Sequence, residues 1–455
     1  MNDKTNSQRN EDSVSRRKFL KSTSTAVVGG SLLSSLAIKP GVFADHHDEV
    51  KVALVGCGGR GSGAADQALN TYDQGPIKLV AMADAFRDRL DGSFNNLHKK
   101  HGDRVAVPEG QKFIGFDAYK QAIELADVVI LATPPGFRPI HFEEAVKQGK
   151  NVFMEKPVAT DPAGVRKVLA AAKEAKKKNL KVGVGLQRHH QAGYIETIKR
   201  LQDGAIGDII ATRAYWNGNT PWVRKRADLE KAAGRKLTEM EYQMRNWYYF
   251  NWICGDHITE QHIHNLDVIN WLKDGFPVKA NGMGGAEVRV GKDFGEIFDH
   301  HAVEYQYEDG TWNFSQCRHI RGCWNSVSEH VQGATGRSDI NKHQIFAKGG
   351  NWRYKKQPGD KNPYQQEHDD LFAAIRHNEP YNEAYYGAKS TLTSIMGRMA
   401  TYIGGQVTWE QALNSKVQIM PNEITWDTKP PTGPDENGEY PIPVPGDKMW
   451  ARKVV

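Results

Sequence analysis

The chain has 455 residues, with 60 Lys/Arg, 54 Asp/Glu and a formal net charge of +6. That length exceeds one ordinary hydrophobic core and implies two or three domains. The first 44 residues hold seven Lys/Arg against three Asp/Glu, leaving 53 against 51 elsewhere, so charge gives no argument for nucleic-acid binding and no nucleic-acid partner is expected.

Residues 1–44 have the order of a twin-arginine export signal. Ser15-Arg16-Arg17-Lys18-Phe19-Leu20-Lys21 precedes an apolar run broken by Gly and Ser, and Val42-Phe43-Ala44 offers a cleavage site after Ala44. The export machinery is the expected partner, and a periplasmic or otherwise extracytoplasmic location the expected destination. No later stretch approaches the ~20 apolar residues of a membrane span. The cysteines (57, 254, 317 and 323) form no CxxC pair; a Cys317–Cys323 disulfide is conceivable in an oxidising compartment.

From Val50 the chain alternates strand and helix. "VKVALV" reads as a strand, "GCGGRG" as a loop, "SGAADQALN" as a helix and "IKLVAMAD" as a second strand ending at Asp84. "DVVILATPP" and "NVFMEKP" are further buried strands with "HFEEAVKQ" between them, and an Ala/Lys helix over about 162–178 precedes "KVGVGLQ". This alternation predicts a doubly wound parallel sheet over residues 45–187. Beyond Arg188 aromatic residues increase, and "AVEYQYEDGTWNFSQC" has the two-residue period of antiparallel strands. An α+β domain with a large, mostly antiparallel open sheet is expected over 188–415, and an extended tail rich in Pro, Gly and charge over 416–455.

Gly56-Cys57-Gly58-Gly59-Arg60-Gly61 fits G-x-G-x-x-G between a strand and a helix, with Asp84 closing the next strand. The first glycine permits the tight turn, the second lets the backbone approach a pyrophosphate, and the third lets helix and strand pack closely. Helix-start N–H groups then face the phosphates. Asp84 is placed to bond an adenosine ribose, which favours NAD(H) over NADP, while Arg87 nearby tempers that preference. Cys57 reads as a small filler.

"ATPPGFRPIHFEEAVKQGKNVFMEKPVA" carries a family likeness. A strand ending in Thr133-Pro134, then His141, then Gly-Lys-x-Val-x-x-Glu155-Lys156-Pro157, resembles the Gfo/Idh/MocA oxidoreductases, relatives of glucose–fructose oxidoreductase and inositol dehydrogenase. The likeness runs from the glycine loop to "EPYNEAYYGAKSTLTSIMGRMATYIGGQVT", and the export signal and tryptophan-rich inserts look like the secreted branch. It implies a Rossmann domain that binds NAD(H), and Lys156 as the group that polarises or protonates a sugar oxygen; the glycine loop together with export implies that the NAD(H) is tightly bound. It also puts Glu155 near the nicotinamide ribose and Gln187-Arg188 where the chain passes the nicotinamide. From the residues alone, Pro157 biases Lys156 away from helical geometry, holding its ammonium at the sheet edge.

"GDHITEQHIHNLD" resembles the family's second motif, commonly D-x-G-x-H-x-x-D, but departs from it twice, with Glu260 at the Asp position and His262 at the Gly. On one continuous helix at ~100° per residue, His257, Glu260, His264 and Asp267 share an arc of about 80°, with His262 opposite among apolar residues. Glu260 and His264 are therefore expected to form a proton relay, with the imidazole titrating near neutral pH. His257 and Asp267 are expected at the substrate, and His262 in the core. His257, Glu260 and His264 could instead supply three metal ligands, and on a strand Glu260, His262 and His264 would share a face. The helix and the relay are preferred, with no metal expected.

Trp216, Trp222, Arg245 and Trp247 lie in "RAYWNGNTPW" and "MRNWYYFNW". Aromatic faces beside amide and guanidinium donors suit a carbohydrate or polyol. The expectation is an exported, homo-oligomeric NAD(H)-dependent oxidoreductase acting at a carbinol carbon of a sugar, glycoside or polyol. The alternative is a redox-neutral NAD-dependent glycosidase or epimerase with a captive cofactor. A non-catalytic sugar-binding protein is opposed by the intact glycine loop and Glu-Lys-Pro.

Overall fold

The computed structural model describes residues 48–447, so the export signal expected at 1–44 lies outside the described residues. Six parallel strands form the first sheet: β1 (Val50–Val55), β2 (Ile77–Asp84), β3 (Lys112–Ile114), β4 (Val128–Leu131), β5 (Asn151–Met154) and β6 (Val182–Val184). Their order is β3-β2-β1-β4-β5-β6, the doubly wound arrangement in which ligands bind beyond the strands' carboxyl ends, where the order reverses. β4 and β5 are buried at every position, as a parallel sheet with both faces covered requires.

Local chemistry explains the covering helices. Helix Pro162–Lys177 starts with Asp161 accepting from Gly164 N–H and Pro162 in the first turn, a favoured N-terminal arrangement. Its Val165, Val168, Ala172 and Ala175 are buried at helical spacing. The Rossmann layer is completed from far along the chain. Helix Pro363–Arg376 packs on helix Gly59–Leu69, and its Leu371, Phe372 and Ile375 join the core containing Val52, Leu54 and Ile130.

The second sheet has nine strands in the order β14-β13-β12-β11-β7-β10-β9-β8-β15. They are β7 (Ile209–Gly218), β8 (Lys279–Gly285), β9 (His300–Gln306), β10 (Trp312–His319), β11 (Ser326–Gly333), β12 (Gly336–Asp339), β13 (Gln344–Ala347), β14 (Gly350–Arg353) and β15 (Val407–Thr408). β7 and β10 run parallel, and the other pairs are antiparallel. The buried helix Ala384–Ile403 packs on both β8 and helix Pro162–Lys177, joining the two layers. The described tail beyond Asn414 contains no helix or strand, yet it is anchored. Ile419 and Met420 N–H groups donate to Asp161 at 2.7 and 3.3 Å, and Trp426 packs on Phe86 and Phe116.

All four cysteines are unpaired, with Cys317 buried and Cys323 exposed; the conceivable Cys317–Cys323 disulfide is not formed. Among the described residues, no helix is long and apolar enough to cross a membrane.

Candidate active site

A cavity of about 570 Å³ opens at the carboxyl ends of β1, β2, β4 and β5 and is walled on its far side by the segment 216–264. The glycine loop forms its floor, with Gly56, Gly58, Gly59, Arg60 and Gly61 all on the wall. Gly56 has φ +96, and a Cβ on Gly61 would sit 1.9 Å from the Gly56 carbonyl oxygen, so both must be glycine. A Cβ at Gly58 or Gly59 would meet nothing within 4 Å and would project into free space. That free space over a helix N-terminus fits the pyrophosphate of a dinucleotide.

Asp84 lies on the wall, and its carboxylate accepts from Cys57 N–H at 2.7 Å and Phe86 N–H at 2.9 Å. Burial raises its pKa against those two bonds. Arg87 pairs with Glu109 at 2.7 Å and is absent from the wall, whereas Arg89, Arg224 and Arg245 are on it. Arg245 is held by Asp88 at 3.0 Å.

The strand ends supply the polar centre. Thr133 and Pro134 close β4, and Glu155 and Lys156 follow β5, all on the wall. Glu155 pairs with Arg60 at 2.7 Å. Lys156 Nζ donates to the Glu260 carbonyl at 2.5 Å and to the Glu260 carboxylate at 3.1 Å. The carbonyl belongs to the last residue of the short helix His257–Glu260, where carbonyls lack intrahelical partners and a cation is favoured. Arg138, buried between, donates to the Leu131 carbonyl at 2.7 Å. Burial lowers its pKa to about 10, while Glu155 and Glu260 counteract this.

The histidine segment corrects the expectation of one continuous helix. Helix His257–Glu260 ends, Gln261 and His262 form a joint, and a second helix runs Ile263–Lys273. At the joint, His262 N–H reaches back five residues to the His257 carbonyl at 3.2 Å, so the two helices do not keep one phase. His257 is consequently wholly buried and off the wall, with Nδ1 2.8 Å from Asp256. Asp267 is also off the wall, bonded to His189 at 2.6 Å and Ser390 at 2.8 Å. Neither stands where substrate contact was expected. His262 is buried with Nε2 2.7 Å from Ser315 Oγ; burial and then His257 lower its pKa to about 3.

Glu260 and His264 both reach the cavity, but the expected relay between them is not what forms. Among the described residues, the carboxylate of Glu260 pairs with Lys156, and no hydrogen bond joins it to His264. Burial, then Lys156 and Arg188, hold the His264 pKa well below the ordinary imidazole range. His264 is neutral rather than titrating near pH 7, and its ring stacks 6.0 Å from Trp216. Three metal ligands at His257, Glu260 and His264 are likewise not brought together. Asp256, His257 and His301 do cluster, but the Asp256 carboxylate already accepts from Phe298 N–H and Tyr402 Oη, and the Arg289 guanidinium lies 3.4 Å from His257.

Trp216, Trp222 and Trp247 join Arg245 on the wall. Gln187 and Arg188 do not: Gln187 donates to Tyr364 Oη at 3.2 Å, and Arg188 is ion-paired with buried Glu329. Sequence reasoning missed Arg138, which sits inside the family-like "ATPPGFRP", Gln261, a variable position inside "GDHITEQHIHNLD", and Tyr364, for which no motif gave a signal.

Residues 50–184 match the oxidoreductase family with an NAD-binding Rossmann fold. Inositol 2-dehydrogenase of Gluconacetobacter diazotrophicus is 25% identical over 190 residues, which is 41% of this chain and 48% of that protein. A glycosyl hydrolase family 109 protein of Shewanella baltica is 24% identical over 238 residues, 49% of this chain and 50% of that protein. The chain thus spans about half the length of the curated relatives it matches. In fold it is similar to aldose–aldose oxidoreductase from Caulobacter crescentus complexed with glycerol, with TM-score 0.61 and 20% identity over 79% of this chain and all of that one. It is similar also to scyllo-inositol dehydrogenase from Lactobacillus casei with bound NAD(H) and scyllo-inositol, with TM-score 0.57 and 20% identity over 80% of this chain and 99% of that one. A glycine-loop floor at the strand ends, a two-sheet fold and a matching Rossmann domain agree: over residues 50–184 this chain matches the Gfo/Idh/MocA oxidoreductase family.

Proposed function

We propose that the protein is an NAD(H)-dependent oxidoreductase acting on a sugar, glycoside or polyol at a carbinol carbon. The observation that carries this reading is Lys156, clamped by Glu260 at the end of a cavity that begins at the glycine loop. A bound nicotinamide dinucleotide supplies the hydride acceptor or donor. During oxidation Lys156 takes the hydroxyl proton as Glu260, 3.1 Å away, takes one from Lys156, so the ammonium is restored; reduction reverses both transfers. Neutral His264 stands beside this pair as a hydrogen-bonding group. Asp84 at the adenosine end supports NAD over NADP.

One observation favours the redox-neutral glycosidase or epimerase alternative, in which the hydride is returned to the same substrate. Trp426 of the tail, itself off the wall, packs on Phe86 and Phe116 of the cavity wall, and a wall braced in this way supports a captive cofactor. Captivity also suits export by the twin-arginine route, the function we assign to residues 1–44. The test expresses the chain with those residues in a bacterium that has this pathway. Protein from the extracytoplasmic fraction, purified without added nucleotide, should release NAD(H), not NADP(H), on denaturation. It should convert at least one member of a panel of aldoses, inositols and glycosides. An empty protein that converts none rejects the proposal, and conversion without net change in NADH selects the redox-neutral branch.

We also propose a homo-oligomer built on the outer face of the second sheet. Met283 and Phe314 are 77% and 43% exposed there, on adjoining rows in which Met283 pairs with Ala302 and Phe314 with Glu304. Exposed apolar patches of this kind mark interaction surfaces. Light scattering at micromolar concentration should give a multiple of the chain mass; a monomer rejects the assembly.

A further inference from the structure

Gln261 lines the cavity at the joint between the two helices, one residue after the Lys156 clamp. Its side-chain oxygen lies 2.7 Å from His319 Nε2. On the other side of that ring, a guanidinium nitrogen of Arg289 points at His319 Nδ1. A guanidinium has five N–H donors and no acceptor, and it stays charged in proteins. Nδ1 must therefore be the accepting, unprotonated nitrogen, which leaves the proton of the neutral ring on Nε2. That proton is donated to Gln261 Oε1. The tautomer thus fixes which end of the amide faces His319, and only the NH2 group is left for the cavity. Among the described residues it has no acceptor.

The frame behind this bond is rigid. Arg289 is wholly buried and also donates to the Phe298 carbonyl at 2.9 Å. His319, the last residue of β10, is buried; its N–H donates to the Asp299 carbonyl at 2.8 Å and its carbonyl accepts from Thr220 Oγ1 at 2.7 Å. Burial, then His257 and Arg289, push the His319 imidazole far below its ordinary pKa, in agreement with the neutral ring that the geometry demands.

We infer that Gln261 is a specificity-determining residue whose NH2 donates to an oxygen of the substrate vicinal to the one held by Lys156. The inference rests on the oxidoreductase reading for the position of the substrate. It makes the site selective for 1,2-oxygenated molecules, since the Lys156 ammonium is held on Glu260, the residue next to Gln261, and both donors line one cavity. His319 and Arg289 are positioning residues that act through Gln261.

Gln261→Glu tests this with least disturbance, because it keeps the oxygen that His319 donates to and exchanges only NH2 for oxygen. With NAD and either D-glucose or myo-inositol, KM is expected to rise ~10-fold or more, since one donor is lost and a carboxylate faces an acceptor. kcat should change less, and the nucleotide released and melting temperature should match wild type. An unchanged KM on a sugar that the wild type converts overturns the inference. A second measurement needs no turnover: histidine ¹⁵N resonances, with His319→Gln identifying the signal of His319. The Nε2-protonated tautomer is expected. An Nδ1-protonated neutral ring overturns the inference, because Nε2 would then accept from the amide NH2 and turn the Gln261 oxygen to the cavity. Should the wild type convert neither these sugars nor any other member of the panel, the oxidoreductase reading is what fails, and the tautomer still decides the direction of the Gln261 donor.

Discussion

Lys156→Met is expected to lower turnover ~10²–10⁴-fold, the range for losing general acid–base help, while leaving nucleotide bound. Methionine keeps most of the length of the side chain but removes every donor, so the Glu260 carbonyl and carboxylate lose the cation at 2.5 and 3.1 Å. The rest of the cavity wall, including the glycine loop, does not depend on that bond. His264→Ala should behave differently. Its ring is held neutral by burial, Lys156 and Arg188, so what is lost is one hydrogen-bonding group and a face for Trp216, and a loss of ~10-fold is expected. Rate profiles against pH should show no ionisation that disappears in His264→Ala. Single-turnover kinetics with the released nucleotide quantified decide the matter. A Lys156→Met protein with near-normal turnover removes Lys156 from the chemistry, and equal losses at both positions would restore a shared Glu260–His264 relay.

The second large effect is expected at Gly61. An alanine Cβ there would lie 1.9 Å from the Gly56 carbonyl oxygen and 3.1 Å from its carbonyl carbon. Both are backbone atoms of a loop whose Gly56 N–H is already tied to the Ala83 carbonyl at 2.8 Å, so relief requires moving the loop or helix Gly59–Leu69. Overpacking of this kind costs ~1–3 kcal/mol or more. Gly61→Ala should therefore lower the melting temperature and abolish nucleotide retention together. Gly58→Ala is the matched control. Its Cβ meets nothing within 4 Å, so the nucleotide-free protein should melt as wild type does while nucleotide affinity falls, because the methyl occupies the space for the pyrophosphate. Calorimetry with quantified nucleotide content separates the two. Normal retention by both variants would refute the placement of a dinucleotide on this loop.

The sequence by itself determined the parts of the protein that depend on neighbours along the chain. The strand of "VKVALV", the glycine loop and the helix after it are local necessities of burial and turn geometry, and they appear as β1, Gly56–Gly61 and helix Gly59–Leu69. The two-residue period of "AVEYQYEDGTWNFSQC" likewise became the antiparallel pair β9 and β10. Lys156 at the end of β5 was legible because Pro157 and the strand before it constrain its backbone.

Only the tertiary structure decided what these groups meet. Helical spacing placed His257, Glu260, His264 and Asp267 on one arc, but the joint at Gln261–His262 gave the two helices separate phases. Buried Asp256 and Ser390 then took His257 and Asp267 into the interior. Glu260 turned to Lys156, 104 residues earlier, because an ammonium satisfies both its carboxylate and the helix-end carbonyl, whereas a buried neutral imidazole offers neither charge nor reach. The completion of the Rossmann core by Leu371 and Phe372, and the setting of Gln261 by His319 and Arg289, are contacts between residues distant in sequence. Their partners carry no local periodicity or motif, and burial and hydrogen-bond satisfaction in the folded state select them.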